Sequence, residues 1–421
     1  MAADNGNAAD PTDAVRRFYE AYPYPDIEAA QPTRTTILGD AWCAVHHALD
    51  GRIGRRIRIL FAGGGTGLAM QAIGRAFLQA GVECDFVYAD LSEPSAAIAR
   101  RRALDAGLTG VEYLIRPIED LTGLNLAPFD YIDFSGVINH VADPSVALDA
   151  LAGLLAPHGG IGIMAYGRLG RTGIYPMQNA LRLLGGSDAP GAGVASMREV
   201  LGALPPHNWI TKNPHLKYIP TSDDVELADR YLNPNDRAFE ISELDALCRR
   251  SGLAIRGFVH PFLYDPDPLL ATKALRVRAS ELPPIDRAQL AEWLHGILHI
   301  HQFFAVPADR EPADMTALLA NRDTRLMPSM LGARDFSALA RAAGQTVDVA
   351  VPYGALKLGV SASFDRSDCL VLARLQDGPT VAELRQHLAE QGVEEAAAEA
   401  AIRRVYAFFS RLGALHLRRG V

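Results

Sequence analysis

Ile59-Leu-Phe-Ala-Gly-Gly-Gly-Thr-Gly67 decides the fold. A short apolar run halts on glycines and gives way to helix-forming residues from Leu68 to Leu78, the pattern of a strand, a tight turn and a helix N-terminus. Bare backbone at Gly63, Gly65 and Gly67 lets a ligand lie close, and the helix start offers unpaired N–H groups. The spacing narrows that ligand. A dinucleotide turn wants glycines two and then three residues apart, but the third position falls on Leu68 or Met70. The Gly-Lys-Ser or Gly-Lys-Thr of a phosphate loop is also absent. Glycine at alternate positions suits a ligand whose charge lies on an amino-acid moiety rather than on a pyrophosphate.

Downstream, strands and helices alternate. Strands are expected at Arg58–Ala62, Cys84–Ala89, Val111–Ile115, Asp130–Phe134 and Gly160–Ala165, with helices at Leu68–Gln79, Glu93–Ala106 and Val146–Leu155. This rhythm predicts an α/β, doubly wound, mostly parallel sheet covered on both faces, with ligands beyond the carboxyl ends of its strands. Residues 185–235 are rich in Pro, Gly and Asn, carry a helix near Ser196–Leu204 and read as an inserted cap. Phe239–Gly252 resumes as a helix with Ser242 as its N-cap candidate, and Ala254–Val259 as a strand. Prolines at 261, 266 and 268 mark a boundary near residue 265; Ala288–Phe304 looks helical beyond it. The tail from Asp365 reads as three helices and a strand, a winged-helix-like order. Upstream, residues 1–12 look disordered. A helix from Asp13 stops at Tyr22-Pro-Tyr-Pro25, and a second spans Trp42–Leu49. The division expected is an N-terminal helical lid over 1–50, a core over 51–265 and an accessory domain over 266–421.

Bulk properties restrict the function. The chain has 421 residues, 49% of them hydrophobic, and a formal charge of −8, which argues against general nucleic-acid binding. Eight arginines against eight acids in the tail say the same of its winged-helix-like part. Cys43, Cys84, Cys248 and Cys369 are far apart, suggesting neither a disulfide framework nor a zinc site. His295, His299 and His301 invite a metal reading, but without an evident acidic or thiol partner a helix-face pair explains them better. Without a membrane-spanning stretch or a signal-peptide start, the expected location is the cytoplasm.

Three further stretches fall in register with the glycine turn. Asp90, at the end of the second strand, is placed to accept from both hydroxyls of a ribose; the alternative is a helix cap. After the third strand, in Arg116-Pro-Ile-Glu-Asp120, Ile118 can flank an adenine and Glu119 accept from its amine. Ser135-Gly-Val-Ile-Asn-His140 ends the fourth strand on small and polar residues. Backbone at Ser135 and Gly136 can line the site, and Asn139 or His140 can reach a reacting group. Tyr22, Tyr24 and Tyr175 offer faces to a cation, with core packing as the alternative. Arg168 and Arg171 either bind a carboxylate or cap a loop.

Together these motifs resemble the class I S-adenosylmethionine-dependent methyltransferases. Phe18-Tyr-Glu-Ala-Tyr-Pro-Tyr-Pro25, Tyr88-Ala-Asp-Leu-Ser92, Phe129-Asp-Tyr-Ile-Asp-Phe-Ser-Gly136, Met164–Tyr175, Leu204–Trp209 and Asn235–Phe239 are similar to one subgroup, the rickettsial-type bacterial protein-lysine methyltransferases. The resemblance covers residues 13–260. It implies a Rossmann-like sheet with S-adenosylmethionine held by Tyr24, Ala62, Gly63, Gly65, Gly67, Asp90, Leu91, Ile118, Glu119, Ser135 and Gly136. It also implies that the N-terminal tyrosines, Tyr24 among them, and the Tyr166–Tyr175 segment close over the methionine and substrate end. By its own position His140 is the leading candidate for proton handling, and no metal is expected. The acceptor implied is a protein lysine, the alternative a small metabolite or natural-product intermediate; a closed pocket lined by the 185–235 insertion would favour the small acceptor. The tail is open to three roles: homodimerisation, substrate docking or support of the core. One departure stands out. Most class I enzymes carry an acid two residues before the first glycine, where this chain has Phe61.

Overall fold

The computed structural model describes residues 11–25, 36–185, 192–216, 222–329, 333–353 and 356–419. Most of the segment expected to be disordered, and parts of the 185–235 insertion, lie outside them. Thr12 and Pro11 open a helix instead.

Seven strands form the central sheet: β1 (Arg56–Ala62), β2 (Glu83–Asp90), β3 (Glu112–Ile115), β4 (Phe129–Ser135), β5 (Leu155–Tyr166), β6 (Leu253–Phe258) and β7 (Ile300–Pro307), in the order β3-β2-β1-β4-β5-β7-β6. The first five run parallel; β7 runs antiparallel to both of its neighbours. Alternation along β1 sends Leu60 and Ala62 into one buried cluster and Ile57, Ile59 and Phe61 into another on the opposite face. Both faces are covered, which is why these strands read as unbroken apolar runs.

The helices before the insertion are α1 (Pro11–Ala21), α2 (Ala41–Ala48), α3 (Leu68–Gln79), α4 (Glu93–Asp105) and α5 (Pro144–Gly153). Helix α6 (Ile174–Leu183) leads into the insertion, which contributes α7 (Ala192–Gly202), α8 (Trp209–Lys212) and α9 (Asp224–Tyr231). These pack into a small core of their own with Phe18 and Tyr22 of the N-terminal segment. Helix α10 (Ile241–Arg250) begins at Glu240, not Ser242, because Glu240 and Glu243 close a reciprocal capping box.

Beyond residue 265 the expectations need correction. The stretch expected as one helix over 288–304 is α12 (Pro284–His295), preceded by α11 (Lys273–Ser280), and then the strand β7. Gly296, at φ 63°, ends the helix and turns the chain. The boundary at 265 therefore falls before a strand of the central sheet. Nor is α2 part of a lid: it packs against β5, β6 and β7. The tail holds α13 (Met315–Ala320), β8 (Arg325–Pro328), α14 (Ala333–Leu339), the hairpin β9 (Thr346–Tyr353) and β10 (Leu356–Ser363), α15 (Arg366–Leu375), α16 (Val381–Glu390), α17 (Glu395–Arg411) and β11 (Leu415–Arg418). Its last strand pairs with β8. One buried cluster runs from Leu60 and Ile132 through Phe262 to Val371, Leu384 and Phe409, so sheet and tail share a core.

Candidate active site

A cavity of about 500 Å³ opens at the carboxyl ends of β1 to β5. Its floor is the glycine turn. Gly65, at φ 52°, presents its N–H to Asp90 Oδ2 at 2.8 Å, while the other oxygen, Oδ1, accepts from Ser92 N–H at 2.9 Å. Asp90 lines the cavity and is not a helix cap; Ser92 caps α4. Burial pushes the Asp90 carboxyl up, against the opposing pull of the Ser92 and Gly65 N–H groups. Each oxygen keeps a second lone pair for a ligand hydroxyl.

The N-terminal segment is strapped across this turn. Thr66 N–H donates to Tyr24 O at 3.3 Å, and Thr66 Oγ1 to Pro25 O at 2.8 Å. An added Cβ at Gly65 would lie 2.8 Å from Tyr24 O, so a side chain there would push the strap away. Gly67 acts differently. It adopts φ 84° at the N-cap of α3, and a Cβ would sit 2.9 Å from Ala99 Cα on α4. It packs two helices together and does not line the cavity. Ala62 does not line it either; it faces the buried cluster below the sheet. The other site residues expected from sequence do: Tyr24, Gly63, Gly65, Asp90, Leu91, Ile118, Glu119, Ser135, Gly136, His140 and Tyr166.

Phe61 also lines the cavity, packed against Phe86. The acid missing at this position is supplied next door. Asp133 on β4 is the register partner of Phe61 in the parallel pair, so it projects from the same face of the sheet into the same cavity. It is buried and accepts from Ser135 Oγ at 2.6 Å and from Tyr131 Oη at 3.3 Å. Burial pushes its carboxyl up to about 6, although those hydroxyls favour the charged form. Sequence reading missed Asp133, because only strand register shows that it faces Phe61.

The far end of the cavity is built from α1, α9 and the end of β5. Tyr19 and Tyr166 both donate to the buried Asp229, at 3.0 and 3.1 Å. Tyr24 donates to Glu226 at 3.0 Å. Burial, reinforced by Asp229, raises all three tyrosines well above the usual phenol range and keeps them protonated donors. Arg171 stacks 3.7 Å over the Tyr166 ring and pairs with Asp236 at 2.7 Å; Arg230 pairs with Glu226. Two arginines thus have their own carboxylates, and Asp229 takes its hydrogen bonds from neutral tyrosines. His140 Nδ1 lies 2.7 Å from Asn235 O, so the neutral ring carries its hydrogen on Nδ1 and leaves Nε2 as the acceptor.

Several expected partners lie elsewhere. Tyr22 joins the insertion core, Tyr175 stays outside the lining, and Tyr19 takes the place they were expected to fill. Arg168 pairs with Glu243 away from the cavity. Asn139 accepts from the Tyr166 N–H at 2.7 Å and fixes the end of β5. The three histidines near 300 do not share a helix. His295 ends α12, His299 lines the cavity, and His301 lies in β7, 3.3 Å from the acidic partner, Glu292, that sequence did not reveal.

Comparison with known proteins bears on the fold and the class of the protein. A family model described as a methyltransferase domain matches residues 60–161. An uncharacterized protein of Synechococcus sp. is 30% identical over 302 residues, covering 70% of this chain and 71% of that one. A ubiquinone biosynthesis O-methyltransferase of Xylella fastidiosa is 37% identical over 102 residues, which span 24% of this chain and 39% of the relative. In fold, the chain is similar to PKMT2 from Rickettsia typhi in complex with AdoHcy, with a TM-score of 0.65, 16% identity, and coverage of 94% of this chain and 77% of that one. The chain belongs to the class I S-adenosylmethionine-dependent methyltransferases, in one family with the Synechococcus protein. S-adenosylmethionine is its cofactor.

Proposed function

We propose that the acceptor is an amine, and that it is a lysine side chain of a protein. The observation that carries this reading is Asp229. A buried carboxylate ringed by Tyr19 and Tyr166, with both nearby arginines already neutralised, attracts a cation and repels an acidic or phenolate acceptor.

The residues present fit the cofactor. Gly63 and Gly65 would lie under it, Asp90 would take the ribose hydroxyls, and Ile118 and Glu119 would flank the adenine. Asp133, opposite Phe61, would hold the ammonium group of the methionine end. When bound, the cofactor supplies a sulfonium methyl group open to in-line displacement.

The chain's own residues prepare the acceptor. An amine with an ordinary pKa of about 10.4 arrives charged and must be neutral to attack. Asp229 draws it in. The apolar wall formed by Val137, Met164 and Ile300 disfavours the charged form once the amine is desolvated. His140 Nε2 is the acceptor available for the released proton, and the tyrosine hydroxyls orient the nitrogen. Positioning and exclusion of water supply most of the rate.

A second reading, a small amine metabolite, is favoured by one feature. Asp229 and Arg230 come from the insertion, and the bonds from Tyr19 and Tyr24 to α9 draw a cover over the cavity. Incubation of the purified enzyme with methyl-labelled cofactor and cell lysate separates the two. Label in protein lysines, lost when the lysate is first acetylated, is expected. Label confined to small molecules rejects the protein acceptor, and label on phenolic oxygen rejects the amine. Asp229→Asn should lower turnover at least tenfold while cofactor binding, read by calorimetry, stays unchanged.

A further inference from the structure

The packing of α2 against β11 holds a group of side chains that the methyltransferase reading does not use. Cys43 and His47 lie one turn apart on α2, and His416 lies on β11, near the other end of the described chain. The Cys43 sulfur and one nitrogen from each imidazole all lie within 4.8 Å of one another. Cys43 and His416 are buried and His47 is half-buried.

The backbone on either side of these residues is fixed. Leu417 N–H donates to His46 Nδ1 at 3.2 Å, and Arg419 N–H donates to Gly51 O at 2.7 Å, so β11 is tied to α2 and to the loop that follows it. Yet His416 Nε2 is buried with no hydrogen-bond partner among the described residues, a costly arrangement for an imidazole. His47 also lines a second cavity, together with His46, Asp50, Met315 and Tyr406.

We propose that Cys43, His47 and His416 bind one zinc-class divalent ion, with the fourth position open to water from the adjoining cavity. One soft sulfur and two imidazoles are the donors such an ion selects. Bond lengths of about 2.3 Å to sulfur and 2.0–2.1 Å to nitrogen put tetrahedral ligand atoms about 3.5 Å apart, so modest side-chain rotation closes the site. Binding replaces the Cys43 S–H bond by an S–metal bond and releases one proton to solvent. The ion would clasp α2, which leads into the sheet, to the strand that closes the tail.

Untagged full-length protein, stripped with chelator and desalted, provides the test. With added zinc chloride, the wild type should retain one equivalent through a desalting column and show a raised thermal midpoint. Cys43→Ser and His416→Gln should lose both effects. Cobalt chloride should give the wild type a thiolate-to-cobalt charge-transfer band in the near ultraviolet together with the visible bands of tetrahedral cobalt. This readout stands even where a variant fails to fold. No retained zinc, no cobalt–thiolate band, or equal retention by wild type and folded variants would overturn the site. None of these readouts involves methyl transfer, so the metal site stands or falls independently of the acceptor.

Discussion

Asp133 and Asp90 are both carboxylates at strand ends, and their surroundings give them different work. Both oxygens of Asp90 are held by backbone N–H groups, whereas Asp133 leans mainly on the hydroxyls of Ser135 and Tyr131. Asp133 has a pKa of about 6 in the folded protein against an ordinary 3.8. Between these values the native state keeps a proton that the unfolded chain has lost, so stability falls as pH rises through the window. Above it, the folded protein carries a charge costing up to about 3 kcal/mol. Asp133→Asn should therefore raise the thermal midpoint of the cofactor-free protein by several degrees at pH 8, a gain that shrinks towards pH 4. The same variant should bind S-adenosylhomocysteine about 10–100-fold more weakly at pH 8, as expected for loss of a charge-assisted bond to the ammonium group. Wild-type affinity should decline as pH drops below about 6, where Asp133 is protonated. Calorimetry across that range checks both. Unchanged affinity in the variant removes Asp133 from the methionine end. Asp90→Ala should lower affinity more than tenfold, since it removes the ribose acceptor and also leaves the Gly65 N–H unpaired.

The turn between β1 and α3 separates two roles that glycine plays within five residues. Gly65 meets the cavity and the N-terminal strap, while Gly67 meets α4. Gly67→Ala combines a left-handed backbone with a Cβ 2.9 Å from Ala99, so it should cost about 2–4 kcal/mol in urea unfolding. Cofactor affinity of the folded variant should stay within twofold. A large loss of affinity at unchanged stability would return Gly67 to the binding surface. This distinction marks where sequence reading stops. The first five strands were legible because each is an apolar run ending on glycine or a small or polar residue at the carboxyl edge, and Asp90, Glu119 and Ser135 were legible with them. Strand β7 was not, because Leu298-His-Ile-His-Gln-Phe-Phe304 follows a helix through a single glycine and its apolar residues also fit a helical period. Asp133 and Asp229 stayed hidden for a different reason. One acquires meaning from the residue beside it on a neighbouring strand, the other from tyrosines 63 and 210 residues away in the chain. Periodicity carries neither kind of information.

Sheet, insertion and tail meet around one side chain, Tyr353 of β9. Its hydroxyl accepts from His299 N–H at 3.2 Å and donates to Ile300 O at 3.1 Å, which fixes the hairpin to the start of β7. Three imidazoles surround its ring: His299 at 5.1 Å, His215 of the insertion at 5.5 Å and His260, just after β6, at 5.7 Å. His215 and His299 stack on each other at 4.0 Å. Burial lowers all three below the usual imidazole range, His260 to about 4, and His215 further disfavours charge on His299. The sign is opposite to that of Asp133. Below pH 6.5 the unfolded chain takes up protons that the folded seam refuses, so stability is complete above 6.5 and is lost as pH falls towards 4. His260 alone accounts for about 1.4 kcal/mol per pH unit, about 3 kcal/mol across the window. The urea midpoint of the wild type should therefore fall steeply between pH 6.5 and 4.5. His260→Phe, close in volume and without a titrating group, should fall less steeply by the equivalent of about one proton. Because α9 and the cover over the active site belong to the same insertion as His215, acid should loosen the insertion before the parallel strands open. Hydrogen exchange at pH 5 is expected to show amides of residues 209–216, 222–231 and 346–353 exchanging faster than those of β1 and β4. Parallel midpoint curves for wild type and variant, or uniform exchange across the chain, would place the acid limit in the sheet and not at this junction.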